Sequence, residues 1–249
     1  MIKTFLTASL LLTCLPAMAT PISSPFYQPT MGHFLSKTSA SYTKNKIKTT
    51  PTTRSYHRSL GEEVTLGLGS GFAALIAGDL NWTRQKQEIS FSTPHASAYG
   101  AGLQGQWNLG GILTNLSVLY HQSTNVNFEA RRKIKTNLYL GKELDKMTPY
   151  LHLTGNFPLN ARAEFNDPLY RGETGVFQSV NDKMTLDTAL YLQYDKNAKE
   201  RSYGIRGEWS YLPTNWIAIS LNGEWQARGK SHKRKTYHQL LGTKITFSF

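Results

Sequence analysis

Tyr237 to Phe249 reads Y-H-Q-L-L-G-T-K-I-T-F-S-F. Tyr237, Leu241, Thr243, Ile245, Phe247 and Phe249 share one parity; His238, Gly242, Lys244, Thr246 and Ser248 share the other, with Leu240 as the exception. Alternate residues of an extended chain point to opposite faces, so a period of two marks a β-strand with one apolar and one polar side. The stretch stops on an aromatic residue. A soluble sandwich can also carry such a strand, so the remaining sequence decides what covers the apolar face.

The same alternation recurs upstream. Asn215–Arg228 sets Ile217, Ile219, Leu221 and Trp225 against Trp216, Ser220, Asn222, Glu224 and Arg228. Arg201–Leu212 sets Tyr203, Ile205, Trp209 and Tyr211 against Gly204, Arg206, Glu208 and Ser210. Lys183–Asp195, Thr148–Arg162, Phe128–Lys142, Ile112–Gln122, Ala98–Leu109, Ala74–Gln87 and Glu62–Gly71 repeat the pattern, while Leu169–Val180 and Met31–Thr43 are weaker. Turns are expected near 71–73, at Gly110-Gly111, at Asp145-Lys146-Met147, at Asn181-Asp182 and at Pro213-Thr214-Asn215. Longer polar links are expected at 44–61, 88–97, 123–127, 163–168, 196–200 and 229–236. The reading is twelve strands, with ten as the alternative because two are weakly patterned.

The chain has 249 residues, enough for one or two domains, but no second domain or internal repeat appears beyond the hairpin rhythm. Met1–Ala19 has a basic start at Lys3, an apolar stretch from Phe5 to Leu12 and the small-residue pattern Ala17-Met18-Ala19, the marks of a cleaved signal peptide. Cleavage after Ala19 is favoured over lipidation at Cys14, because Thr13 stands where lipoprotein signals carry a smaller residue. Cys14 is the only cysteine, so residues 20–249 hold no thiol, which excludes cysteine catalysis and cysteine metal sites. No metal-ligand cluster, phosphate loop or paired-carboxylate motif stands out, and no cofactor is expected.

A signal peptide, alternating strands, short turns alternating with longer links and a closing strand ending on Phe249 resemble Gram-negative outer-membrane β-barrels. The resemblance implies an all-β, antiparallel up-and-down transmembrane barrel over residues 20–249, integral to the outer membrane. It also implies delivery to the barrel-assembly machinery through the strand that ends at Phe249, and it makes outer-membrane lipid and lipopolysaccharide the surrounding partners. Trp82, Trp107, Trp209 and Trp225 fall on the apolar parity, where interfacial girdle residues belong. That argues against a soluble periplasmic β-protein.

The net charge of +12 is unevenly placed. Lys44, Lys46, Lys48, Arg54 and Arg58 cluster in the first long link, Lys196, Lys199 and Arg201 in the fifth, and Arg228, Lys230, Lys233, Arg234 and Lys235 in the last. Nucleic acid is not the expected partner of an exported chain. External basic links would meet lipopolysaccharide phosphates or remain solvated charge. On the polar parity, Arg131, Lys133 and Lys135 follow one another along a single strand, and Arg162, Arg206 and Arg228 lie on other polar faces. Together they form a candidate pore lining for small anionic or polar solutes, in the manner of small twelve-stranded channels for acidic sugars. The opposing possibility is that Glu63, Asp79, Glu143, Glu173, Asp187, Glu208 and Glu224 pair with these bases and close the lumen.

Other classes fit less well. His121 and Ser123 have the His-x-Ser spacing of outer-membrane phospholipase A, but Thr124-Asn125 replaces the Asn-Gly that follows there, and Lys135 stands where a polar orienting residue is expected. Thr20–Thr30 is too short to be an autotransporter passenger. The chain is therefore read as a non-enzymatic small porin-like channel. A closed structural or adhesive barrel acting through basic external loops is the alternative.

Overall fold

The computed structural model describes residues 20–48, 53–85, 96–124, 130–159, 169–196, 199–230 and 234–249. Twelve strands follow in chain order: β1 (Phe34–Lys48), β2 (Thr53–Gly69), β3 (Phe72–Gln85), β4 (Ala96–Leu109), β5 (Ile112–Thr124), β6 (Ala130–Lys142), β7 (Met147–Pro158), β8 (Leu169–Asn181), β9 (Met184–Asp195), β10 (Glu200–Thr214), β11 (Ile217–Lys230) and β12 (Arg234–Ser248). Each pairs antiparallel with its chain neighbours, and β1 pairs with β12, so the sheet closes into a barrel. At this seam the Phe34 N–H donates to the Phe249 carbonyl at 3.0 Å, and the Phe249 N–H donates back at 2.9 Å. Closure satisfies every strand edge internally, which hydrocarbon surroundings demand. Both weakly patterned strands are present, so the count is twelve, not ten.

Local chemistry sets the short turns. Gly110 and Gly111 have φ of 62° and 87°, the paired left-handed geometry of a two-residue hairpin turn, and the Asn108 side-chain carbonyl accepts the Gly111 N–H at 2.9 Å. Between β8 and β9 the Asn181 side chain accepts the Lys183 N–H at 2.9 Å. Pro213 stays inside β10, at a register irregularity between Tyr211 and Thr214. There its missing N–H costs little, and the turn falls at Asn215 and Trp216 instead of at Pro213–Asn215. All these turns lie at one end, here the turn end; the other connections lie at the loop end.

Strand limits differ from the sequence expectation where polar residues remain paired. The expected link 44–61 is mostly strand: β1 has 15 residues and β2 has 17, beyond the roughly 9–11 that span a bilayer. Backbone pairing with β12 and β3 carries this polar hairpin past the apolar band, aided by a 2.6 Å bond between the Ser41 and Ser59 hydroxyls. β7 ends at Pro158 instead of Arg162. The expected signal peptide, 1–19, lies outside the described residues.

One parity of every strand points out and stays uncovered. Leu192 and Ile76 are 68% and 65% exposed, exposure that water would penalise and lipid would not. Aromatic side chains collect at both margins of this band. Phe34, Phe72, Trp107, Trp209 and Phe247 face outward near the turn end, and Tyr42, Tyr56, Tyr99, Tyr170, Trp225 and Tyr237 near the loop end. Such belts sit at membrane–water interfaces. The fold is that of an outer-membrane barrel.

Candidate functional site in the barrel lumen

The inward parity bounds a lumen that is filled in part by the segment that precedes β1. Residues 20–33 enter at the turn end. A turn folds the segment on itself, with the Ser24 N–H donating to the Pro21 carbonyl at 2.8 Å and the Tyr27 N–H to the Ser24 carbonyl at 3.1 Å. Phe26 is 1% exposed and packs with Tyr150, Phe177 and Ala189, with Leu113 and Tyr139 alongside. Ile22 packs on Leu212 and Ala218. Polar anchors reach separate parts of the wall: Asn115 Nδ2 donates to the Pro25 carbonyl at 3.1 Å, the Ser23 and Thr185 hydroxyls lie 2.9 Å apart, and so do those of Tyr27 and Ser248. The Gly32 N–H donates to the Gly67 carbonyl at 3.0 Å.

Glycines make room for this segment. A Cβ on Gly67 would stand 2.1 Å from the Thr30 carbonyl oxygen, and one on Gly141 would stand 2.4 Å from the Phe26 ring. Nothing in the sequence reading anticipated the plug, because residues 20–33 lack periodicity. Its only signal was an apolar cluster, Ile22, Phe26 and Tyr27, just before the first strand.

Toward the loop end from Phe26, a network of ion pairs and hydrogen bonds crosses the lumen between β7 and β11. Arg206 donates from Nε to Glu173 at 2.7 Å, from Nη1 to Asp187 at 2.8 Å and from Nη2 to the Tyr150 hydroxyl at 2.6 Å. Arg171 Nε lies 2.5 Å from Glu173, and its Nη2 lies 3.2 Å from Glu224. The Arg171 guanidinium also covers the Tyr191 ring at 3.6 Å, and the Tyr191 hydroxyl donates to Glu224 at 2.7 Å. His152 stacks on Tyr139 at 3.7 Å and brings Nδ1 within 3.4 Å of Glu173. Buried charges survive when paired and hydrogen-bonded, and each carboxylate here is held by more than one donor. Arg171, Tyr150, Tyr191 and His152 were absent from the sequence-derived site, although tyrosines and a histidine on the polar parity were its visible trace.

The candidate pore-lining residues divide. Arg131, Lys133 and Lys135 share the inward face of β6, where Lys133 pairs in register with His121 and Lys135 with Leu119. Among the described residues, neither Lys133 nor Lys135 has a carboxylate within 4 Å; Asp79 on β3 is the acid whose field reaches both. Arg206 lies four strands away around the barrel, at the centre of the network. Arg228, five strands away on β11, is held near the loop end by Glu200 and by Asp195 at 3.2 Å. The five described residues are therefore spread around the wall, with Arg131, Lys133 and Lys135 together on β6. Arg162 lies outside the described residues.

Further pairs join Lys37 to Glu63 at 2.8 Å and Lys244 to Glu208 at 2.5 Å. Of the seven acids read as lumenal, Glu143 instead sits exposed between β6 and β7, beyond the last inward residue of β6. His121 and Ser123 share the inward face of β5, and the His121 Nε2 lies 3.8 Å from Asp79. Among the described residues, no group of three or more His, Asp or Glu could hold a metal.

No protein-family model and no curated protein matches the sequence. Solved structures match in fold. An outer membrane channel from Pseudomonas putida F1 aligns at a TM-score of 0.68 and 10% identity, over 91% of this chain and 98% of that one. NanC porin aligns at 0.54 and 12% identity, over 84% and 98%. A mutant of the TodX monoaromatic hydrocarbon channel aligns at 0.51 and 9% identity, over 95% and 94%. At these identities the likeness is one of architecture.

Proposed function

We propose that this chain is an outer-membrane channel for small anionic or polar solutes, which pass the basic strip Arg131, Lys133 and Lys135, with the turn-end mouth closed at rest by residues 20–33. One observation carries the reading. Arg206, Arg171, Arg228, Lys37 and Lys244 are all tied to carboxylates, whereas Lys133 and Lys135 stand on the lumen wall without an ion pair among the described residues. A cation left in a low-dielectric enclosure attracts mobile anions, and adjacent cations on one wall form a ladder for them. The channel and porin names borne by structures of like fold support the same class. Short turns would face the periplasm, as in other such barrels. The plug would then close the periplasmic mouth. Arg206 and Arg228 act in this reading as fixed struts, not as solute contacts.

A second reading, a closed structural or adhesive barrel, is favoured by the ion-pair network and plug together, since both occupy the lumen. Ionic current through the refolded protein in a planar bilayer under a salt gradient separates the two. Current steps with a reversal potential on the anion side support the channel. A silent membrane with verified insertion, even after removal of residues 20–33, leaves the closed barrel.

A further inference from the structure

A second basic group lies on the outer wall, away from the lumen. Lys44 and Lys46 on β1 and Arg54 and Arg58 on β2 have the outward parity; the sequence alone had placed them in a loop. In register, Lys46 stands opposite Arg54, Lys44 opposite Tyr56, and Tyr42 opposite Arg58. Opposed side chains on paired strands have Cβ atoms about 5 Å apart and diagonal ones about 7–8 Å, so Lys44 neighbours both arginines. The rings of Tyr42 and Tyr56 stack among them, 6.1 Å apart and 25° from parallel.

Four like charges at this spacing repel one another, and among the described residues none of them has a side-chain partner in the protein. Among the described residues the surrounding wall supplies no carboxylate either. The outward register neighbours are Tyr237, Gln239 and Leu241 on β12 and Leu80, Trp82 and Arg84 on β3, none of them acidic. The nearest outward acid, Glu62, is four residues from Arg58 and is taken by the hydroxyls of Ser36 at 2.6 Å and Thr38 at 2.5 Å. Directly toward the turn end from the cluster the wall becomes apolar, with Leu60, Leu80 and Leu241 exposed. A ligand for this surface therefore needs phosphate-like anions at one level and hydrocarbon chains just beneath. Bare inorganic anions satisfy only half of that.

We propose that Lys44, Lys46, Arg54 and Arg58 bind the phosphates of lipid A, the lipopolysaccharide anchor, while its acyl chains cover Leu60, Leu80 and Leu241. The site holds whether or not the lumen conducts.

The test uses the full barrel in non-ionic detergent, with bisphosphorylated lipid A as the probe and saturable binding read by native mass spectrometry. Each basic residue beside an anionic lipid surface contributes about five-fold in affinity. Changing Lys44, Lys46, Arg54 and Arg58 together to Gln should therefore weaken binding by about a hundred-fold or more. Lys46→Gln with Arg54→Gln, which also removes the directly opposed cations, should weaken it by about twenty-five-fold if the fourfold variant does not fold. Lys133→Gln with Lys135→Gln, in the lumen, should leave lipid A binding unchanged. Equal binding by the pair variant overturns the site, as does equal binding of lipid A stripped of phosphate. Full competition by inorganic phosphate at matched concentration would make it a free-anion site and also overturn the proposal.

Discussion

Arg206 on β10 donates a 2.6 Å hydrogen bond to the hydroxyl of Tyr150 on β7, across the two strands that separate them in the wall. The contact follows a chord of the barrel, not its perimeter, and Arg171 reaches Glu224 across two strands in the same way. Side chains therefore brace this sector across the lumen, in addition to the backbone ladder along the wall. Arg206→Ala would leave Glu173 and Asp187 short of a partner in a low-dielectric setting, at a cost of about 3–5 kcal/mol. Denaturant unfolding in lipid vesicles should show this loss. A change below about 1 kcal/mol would mean that water enters and screens the network.

Removing residues 20–33 should raise single-channel conductance, because the segment occupies the turn-end mouth. Gly67→Ala offers the same result without shortening the chain, since its added methyl carbon would meet the Thr30 carbonyl oxygen at 2.1 Å. Both changes are expected to act alike. Unchanged current in both would show that the segment is not what limits passage.

Lys133→Glu with Lys135→Glu replaces two cations by two anions on one strip of wall, a local change of four charges. The reversal potential in a salt gradient should then move from the anion to the cation side, while Arg228→Gln with Glu200→Gln, which removes an ion pair and leaves the local net charge the same, should barely move it. A reversal potential indifferent to the lysine substitutions would place the conduction path elsewhere.

Trp82, Trp107, Trp209 and Trp225 all face outward, near the margins of the apolar band. In vesicles whose lipids carry bromine on the acyl chains, their fluorescence should be strongly quenched relative to unbrominated vesicles. Loss of quenching in Trp209→Phe and Trp225→Phe in proportion to the tryptophans removed would confirm both belts. Absence of quenching would argue against membrane insertion.

The barrel was legible in the sequence because a two-sided environment writes a period of two into every strand. Even Leu240, out of pattern, was correctly set on the inward parity, where it pairs in register with Glu224. Strand limits were less legible at the first hairpin, because Lys44–Lys48 and Thr53–Ser59 pair through the backbone, which leaves no hydrophobic trace. The lumen was legible only in part. Parity put Arg206 and Glu173 inside, but parity carries no information about which strands face each other across a chord, so free and paired cations looked alike. The plug was invisible for a related reason: its fit depends on spaces left at Gly67 and Gly141, on strands far away in sequence.

The seam joining β1 to β12 has a consequence for biogenesis. β1 has one partner that follows it at once and another that arrives last, so an unpaired edge must persist, shielded, until the final strand is delivered. The berth for the N-terminal segment straddles that seam, with Gly67 on one side of β1 and Ser248 on the other. The two halves of that berth therefore stand side by side only once the seam is closed. The barrel is thus closed at its turn end from the moment the wall is complete, and under the proposed channel reading any opening must come afterwards.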